Sequence, residues 1–361
     1  MKVGATIPGE LSSERAAPGL LGLAERGWVA DPLLRAAIRR QCAHRLRSEL
    51  AGGPEQRAER YAQVLDSLRN SPIAIHTDAA NTQHYEVPPQ FFAHCLGPRL
   101  KYSCAYYPLG TETLAQAEEK MLQLYAERAE LLDGQQVLEL GCGWGSLTLW
   151  MAEHYPNSHI SAVSNSHAQR VYILNQCKQR KLRNVRVITH DVNTLLLQAG
   201  QFDRCVSVEM FEHLRNYPRI LERIESWLGP EGKLFVHIFA HARLMYPFET
   251  HGADNWLGRH FFTGGLMPAA DTLLWFQKHL KIERRWLVEG SHYACTANDW
   301  LKNQDAHRRE IMALFVQTYG AHCASLWFQR WRMFWMACAE LFGYARGGEW
   351  LVAHYLFGKG A

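Results

Sequence analysis

The chain lacks several features that would assign it quickly. No C-x-x-C pair occurs among its nine cysteines, scattered at 42, 95, 104, 142, 177, 205, 295, 323 and 338, so neither structural zinc nor any other metal is expected. No run of eighteen apolar residues occurs, which leaves no candidate membrane-spanning helix. No basic n-region followed by an apolar h-region opens the sequence, and a reduced, cytoplasmic setting is the default expectation. Lys/Arg blocks of the kind that track phosphates are missing and the net charge is only +4, so nucleic acid is not an expected partner.

What is present describes a globular protein with a sizeable core. The 361 residues are 47% apolar and 20% charged, with eighteen histidines and twelve tryptophans, many of them after residue 230. The informative stretch is Val137 to Trp150, VLELGCGWGSLTLW. An apolar strand-like run enters Gly141-Cys142-Gly143-Trp144-Gly145, and a helix-like run follows at once. Strand, glycine turn and helix open a nucleotide-binding βαβ unit. The spacing is G-x-G-x-G rather than the G-x-G-x-x-G of a dinucleotide fold, and it matches the first turn of an S-adenosylmethionine (SAM) methyltransferase. Gly141 and Gly143 would let a ligand lie against bare backbone, and Glu139 at the strand end would touch it. Read alone, the same glycines also suit a tight turn without a ligand.

Further along, strands at 137–140, 159–164, 185–189, 203–208 and 233–239 alternate with helices at 142–153, 167–181, a short one after 189, and 216–227. Gly229, Pro230 and Gly232 read as the turn before the fifth strand. This alternation predicts an α/β fold with a doubly wound, Rossmann-like parallel sheet and ligand sites at the strands' carboxyl ends. Late strands at 281–288 and 349–357 would close it, with helices at 297–319 and 323–344 inserted between them. The expected division is a mobile tail (1–20), an N-terminal helical or lid segment (21–112), a SAM-binding core (113–240), and a substrate-binding helical insertion with closing strands (241–361). In the second segment, helices at 31–50 and 55–70 suit either a lid or a homodimer contact, and 81–107 reads as a pocket wall or a proline-broken connection.

The strand ends carry the chemistry. Asn165 and Gln169 follow the second strand and can hydrogen-bond ribose hydroxyls. Asp191, with Val192, follows the third and can accept from an adenine amino group. Glu209, Glu212 and His213 follow the fourth, beside the methyl position, where acids and an imidazole can bind an ammonium and take its proton. Tyr246, Trp256 and Phe261 belong to an aromatic cluster that could cage a cation or serve simply as core.

From about residue 65 onward the sequence resembles the cyclopropane-fatty-acid-synthase-type SAM methyltransferases, and within them the coclaurine N-methyltransferase group. The matching stretches are SPIAIHTDAANTQHYEVPPQFF, LKYSCAYYPLG, LELGCGWGSLTLW, SNSHAQR, EMFEHLRNY, LFVHIF, HYACTANDWL and MACAELFGYARGGEWLVAHYLF. The resemblance implies that Tyr102 and Ser103 contact SAM together with the glycine turn, Asn165, Gln169 and Asp191. It also implies that Glu212 and His213 handle the proton of a secondary or tertiary, benzylisoquinoline-like amine.

The same resemblance supplies an alternative: methylene transfer to an unsaturated lipid, with bicarbonate held by Cys104, Glu212, His237 and Tyr293. Such an enzyme needs a membrane-docking face, for which Arg35, Arg39, Arg40, Arg45 and Arg47 are candidates. Cys338 matches a cysteine once assigned to the family's active site, although its apolar helical context suits a packed thiol. A third alternative is a SAM-binding partner protein without catalysis.

Overall fold

Strand β1 (Gln136–Leu140) is buried over its last four residues, as a parallel strand covered on both faces must be. It pairs in parallel with β2 (His159–Ser164) and with β4 (Phe202–Val208). Beyond them lie β3 (Val185–Thr189) and β5 (Leu228–His241), also parallel. Two short strands, β6 (Tyr246–Pro247) and β7 (Leu266–Met267), pair separately. The late strands are β8 (Leu280–Val288) and β9 (Trp350–Lys359); β9 runs antiparallel between β5 and β8. The seven-stranded order is β3-β2-β1-β4-β5-β9-β8, the doubly wound sheet with antiparallel closing strands that the sequence predicted. The computed structural model describes residues 15–75, 87–250 and 255–360. Residues 1–14 of the expected tail and 81–86 of the expected pocket wall lie outside the described residues.

The helices preceding the sheet are α1 (Gly19–Glu25), α2 (Asp31–Glu49), α3 (Pro54–Asn70), α4 (Pro89–Cys95) and α5 (Leu114–Arg128). Helix α5 starts on a capping box between Thr113 and Gln116. Within the sheet unit lie α6 (Ser146–His154), α7 (His167–Arg180) and α8 (Tyr217–Trp227), followed by the short α9 (Trp256–His260). The insertion holds three helices rather than two: α10 (Gly290–Ala306), α11 (Arg308–Tyr319) and α12 (Ala321–Phe342). The expected helix at 297–319 is interrupted at His307, whose φ/ψ of −101°/26° is not helical, and Gly320 at φ +81° separates α11 from α12.

Three further differences have local causes. Helix α6 begins at Ser146 rather than at 142, because Gly141, Gly143 and Gly145 all have positive φ. No helix follows β3; residues 192–194 form a turn. Gly229, Pro230 and Gly232 lie inside β5, at a register shift between the Phe202–Leu228 and Arg204–Lys233 pairs, instead of forming a separate turn.

The N-terminal helices dock on the insertion of the same chain. Asp31 pairs with Arg332 at 2.7 Å, and Glu340 takes Arg35 at 2.8 Å and Arg39 at 2.6 Å. Arg45 is engaged by Glu49 and Asn255. Leu65 and Leu68 of α3 bury into the cluster that includes Tyr217 and Ile220 of α8. Among the described residues no helix is long and apolar enough to cross a membrane, and no group of three or more His, Cys, Asp or Glu side chains is placed to hold a metal ion.

Glu25 ties α1 to this body. It is fully buried and accepts from Trp256 Nε1 at 2.9 Å, Arg330 Nε at 3.0 Å and the Ala17 N–H at 2.6 Å. Burial pushes its carboxyl up, but Arg330 and the donated hydrogen bonds outweigh this and hold it below the usual range. A carboxylate with a lowered folded pKa stabilises above its unfolded value of about 4.3 and loses that contribution as pH falls through the folded one. Glu25→Ala, which removes the buried carboxylate facing the Arg330 guanidinium, should cost about 3–5 kcal/mol by chemical denaturation at pH 7. Against Glu25→Gln, the stability advantage of the wild type should shrink below pH ~4; a pH-independent difference would show that the Glu25 charge contributes nothing.

Candidate active site

The turn after β1 is built from glycines for two reasons. Gly141, Gly143 and Gly145 have φ of +81°, +51° and +80°, in the region that disfavours side chains. A Cβ at Gly141 would lie 2.8 Å from Met210, and one at Gly145 2.7 Å from Ile173. At Gly143 nothing lies within 4 Å, so bare backbone there faces open space.

Two hollows meet at this turn. One encloses about 790 Å³ including its open mouth, and is lined in part by Asn165, Gln169, Asp191, Val192, Glu209 and His213. The other, about 540 Å³, is lined in part by Tyr102, Ser103, Glu139, Trp144, Ser146 and Glu209. They share Gly141, Gly143, Gln169 and Glu209. Every residue expected to contact the donor thus lines one hollow or the other. Gln169 accepts from the Ser164 hydroxyl through Oε1, while its Nε2, Trp144 Nε1 and Ser146 Oγ are buried without a partner among the described residues. Each such orphan costs about 1–3 kcal/mol, so this donor set fits a polar, nucleoside-like ligand over Gly143. Glu139 accepts from Thr148. Burial pushes its carboxyl up to about 8, the Thr148 hydroxyl acting the other way.

Glu209 stands just beyond β4 with φ +46°, a conformation that costs a non-glycine residue about 1 kcal/mol or more. Its carboxylate is surrounded by donors. Oε1 accepts from the Cys104 N–H at 2.9 Å and contacts His237 Nε2 at 3.1 Å; Oε2 accepts from the Tyr293 hydroxyl at 2.7 Å. Burial raises its pKa, opposed by Lys101, the Cys104 N–H, Tyr293 and His213.

Sequence reasoning missed Lys101, whose buried ammonium donates to Cys104 O at 2.7 Å, Tyr125 Oη at 2.8 Å and Ser103 Oγ. Burial pushes it down to about 8, against the attraction of Glu209. Its position within LKYSC was the available signal. Glu118 was missed too. It accepts the main-chain N–H groups of Gly97, Arg99 and Lys101 and so fixes the loop that presents Tyr102 to Cys104.

Several expected placements differ. Glu212 is fully buried and does not line either hollow; its Oε1 accepts the Phe239 N–H at 2.7 Å. Burial and the neighbouring Glu209 push its carboxyl well up. His213 does line the hollow, with its ring parallel to Phe262 at 5.7 Å. The proposed bicarbonate set also differs: the Cys104 N–H, His237 and Tyr293 all bond to Glu209, so a side-chain carboxylate takes the contacts a bicarbonate would need. The Cys104 thiol donates to Ala105 O and is held well above its usual range by burial. Cys338 is buried beside Tyr293 and Glu209, and burial followed by the Glu209 charge pushes it up, which makes it a neutral packed thiol.

The aromatic cage does not form at the hollows. Tyr246 lies under the Arg45 guanidinium at 5.1 Å and accepts from Trp350 Nε1. Trp256 donates to Glu25. Phe261 stacks on Phe334 at 4.2 Å and is fully buried. These rings have partners from the chain itself, as core rings do.

Gly143→Val would put a branched side chain on positive-φ backbone inside the hollows. It should weaken binding of S-adenosylhomocysteine at least tenfold by calorimetry, with thermal stability lowered by no more than ~2 kcal/mol; unchanged affinity would move the donor elsewhere.

Comparison with known proteins agrees with this arrangement. The Mycolic acid cyclopropane synthetase family model matches residues 74–346. An (S)-coclaurine N-methyltransferase from Thalictrum flavum subsp. glaucum is 37% identical over 345 residues, covering 94% of this chain and 95% of its own. A crystal structure of coclaurine N-methyltransferase bound to N-methylheliamine and SAH superposes with a TM-score of 0.90 at 35% identity, over 94% of this chain and 99% of that one. A cyclopropane synthase from Mycobacterium tuberculosis shares the fold, with a TM-score of 0.67 at 21% identity over 80% of this chain and all of its own. With a glycine turn, strand-end acids and a matched family span that all coincide, this chain belongs to the mycolic acid cyclopropane synthetase family of methyltransferase-fold proteins.

Proposed function

We propose that the protein is a SAM-dependent N-methyltransferase of small secondary or tertiary amines of the benzylisoquinoline-like class. The observation that carries this reading is Glu209. An anionic carboxylate beside the donor hollow suits an ammonium-bearing acceptor, and it occupies the contacts that a bicarbonate-dependent lipid reaction would need. Two supporting facts are the solved relative that holds SAH and N-methylheliamine, and the pairing of Arg35, Arg39 and Arg45 within the chain, which leaves fewer cations for a lipid surface.

When bound, SAM supplies a methyl group activated for in-line displacement by an amine lone pair. The chain's residues supply the rest. The glycine turn, Gln169 and Asp191 hold the nucleoside end, and Tyr102 and Ser103 hold the amino-acid end. Glu209 draws the acceptor's ammonium toward the methyl position. His213 lines the hollow and is the side chain suited to accept a proton near neutral pH and pass it to the open mouth. A secondary ammonium loses its N–H proton to His213 Nε2 or Nδ1 before attack; after transfer the new ammonium can lose its remaining proton by the same route. Glu212, neutral and buried, acts by holding the Phe239 N–H and not as the base. The helical segments 21–112 and 241–361 form the acceptor's walls in this reading.

Purified protein incubated with methyl-labelled SAM should label amines from a panel and leave an unsaturated phospholipid unlabelled; label on the phospholipid alone would refute the assignment. Glu209→Gln and His213→Ala should each lower turnover about 10²–10⁴-fold, whereas Glu212→Gln should stay within about tenfold of wild type. A larger loss at Glu212 than at Glu209 would reverse the two roles.

A further inference from the structure

Arg128, His354 and Tyr125 have no part in the roles above. Two of them extend a row that ends on Glu209. His237 on β5 and His354 on β9 are cross-strand partners, and Trp286 on β8 pairs with His354 in turn, so these side chains stand on one face of the sheet. Arg128 Nη1 lies 2.7 Å from His354 Nδ1, His354 Nε2 lies 2.9 Å from His237 Nδ1, and His237 Nε2 lies 3.1 Å from Glu209 Oε1. Both imidazoles are fully buried, while Arg128 is half-buried at the end of α5 with its guanidinium over the Trp286 ring at 5.0 Å.

The proton positions follow from the arginine. A guanidinium only donates and does not deprotonate in proteins, so His354 Nδ1 must accept. A neutral imidazole that accepts at one nitrogen carries its proton on the other, so His354 donates from Nε2 to His237 Nδ1. His237 is then protonated on Nε2 and donates to Glu209. Tyr125, whose oxygen accepts from Lys101, places its hydroxyl 2.9 Å from the same His237 Nδ1, so that unprotonated nitrogen is shared between the His354 N–H and the Tyr125 O–H. The reverse tautomers would set two donors face to face at Arg128 and two acceptors face to face at Glu209. Burial, reinforced by Arg128 and Lys101, pushes both histidines well below their usual range and keeps them neutral.

We propose that Arg128 is a positioning residue for methyl transfer: from the far side of β5 and β9 it locks both histidines as Nε2–H tautomers and so keeps a donor on the Glu209 carboxylate. Its role in turnover rests on the N-methyltransferase reading; its role in the tautomers does not. The row also has a polarity. Since the arginine end gives up no proton, the row carries none outward, and the proton released by the acceptor leaves past His213. The other groups around Glu209 are the Cys104 N–H and thiol, Lys101, His213, Glu212, Tyr293 and Cys338. All of them stay in place in the variants below, so a shift reports the row.

The test compares Arg128→Met, Arg128→Lys and His354→Phe, each checked for an unchanged melting transition. ¹⁵N imidazole NMR, assigned with the His354→Phe variant and a His237→Asn variant, should show Nε2–H tautomers for both rings in wild type and in Arg128→Lys. In Arg128→Met the His354 signal should change to a tautomer mixture. On an amine substrate, Arg128→Met should lower kcat about tenfold with KM unchanged and move the acid limb of the kcat profile up by about one pH unit, because Glu209 loses a donor to its charged form. His354→Phe should shift the limb in the same sense, which keeps the test open if Arg128→Met folds poorly. Unaltered tautomers and an unmoved acid limb in Arg128→Met would overturn the proposal, as would a loss in Arg128→Lys equal to that in Arg128→Met. If the wild type methylates no amine, the functional reading fails, while the NMR result still decides the tautomer lock.

Discussion

The arrangement depends on one buried negative charge, the Glu209 carboxylate. It sits where the central strands end, on backbone that a side chain adopts reluctantly. Main chain from the YSC loop, a phenol from α10 and an imidazole from β5 converge on it. An isolated carboxylate so deeply buried would take up a proton instead of staying charged. Lys101 and the surrounding donors act against this, and the backbone conformation is tolerated because three separate segments over-determine it. The loop, the insertion helix and the sheet are consequently coupled through one side chain.

This explains why two neighbouring glutamates have different environments. Glu209 has the donors and Lys101 close by; Glu212 has one main-chain N–H and the repulsion of Glu209. Surroundings that differ in this way push the pKa values of paired acids apart, with Glu212 the more strongly raised. A covalently attached carboxylate at the contacts with the Cys104 N–H, His237 and Tyr293 also holds a fixed position, as a dissolved anion does not.

Much of the fold was legible in the sequence. The β1 run, the glycine turn and the later apolar strands follow from period and punctuation, and the donor-lining residues follow because strand ends are readable once strands are. The misses share a physical cause. His307 breaks a periodic run that looks continuous, because apolar spacing does not record backbone dihedrals. For Tyr246, Trp256 and Phe261 cage and core both stayed open, because sequence shows aromatic density but not which protein cation or acid satisfies each ring; Arg45 and Glu25 lie about two hundred residues away from them. The resemblance read Glu212 and His213 as one proton-handling pair; the 3-10 turn of Phe211–His213, which apolar spacing does not show, turns Glu212 toward the Phe239 N–H. His354 was invisible as a functional group since its partner across the ladder is set by strand order, which the sequence did not give.

The position of β9 has a consequence for how the protein reaches its working state. β8 is made some sixty residues ahead of β9, yet it hydrogen-bonds only to β9 within the sheet. Until β9 slots in, β8 has no neighbour to lean on and β5 keeps an open edge. Pairings between distant segments form late and slowly, so the sheet should zip shut in a final step. That step is also the one that delivers His354 to His237, so closure of the sheet and electrical completion of the active centre are a single event.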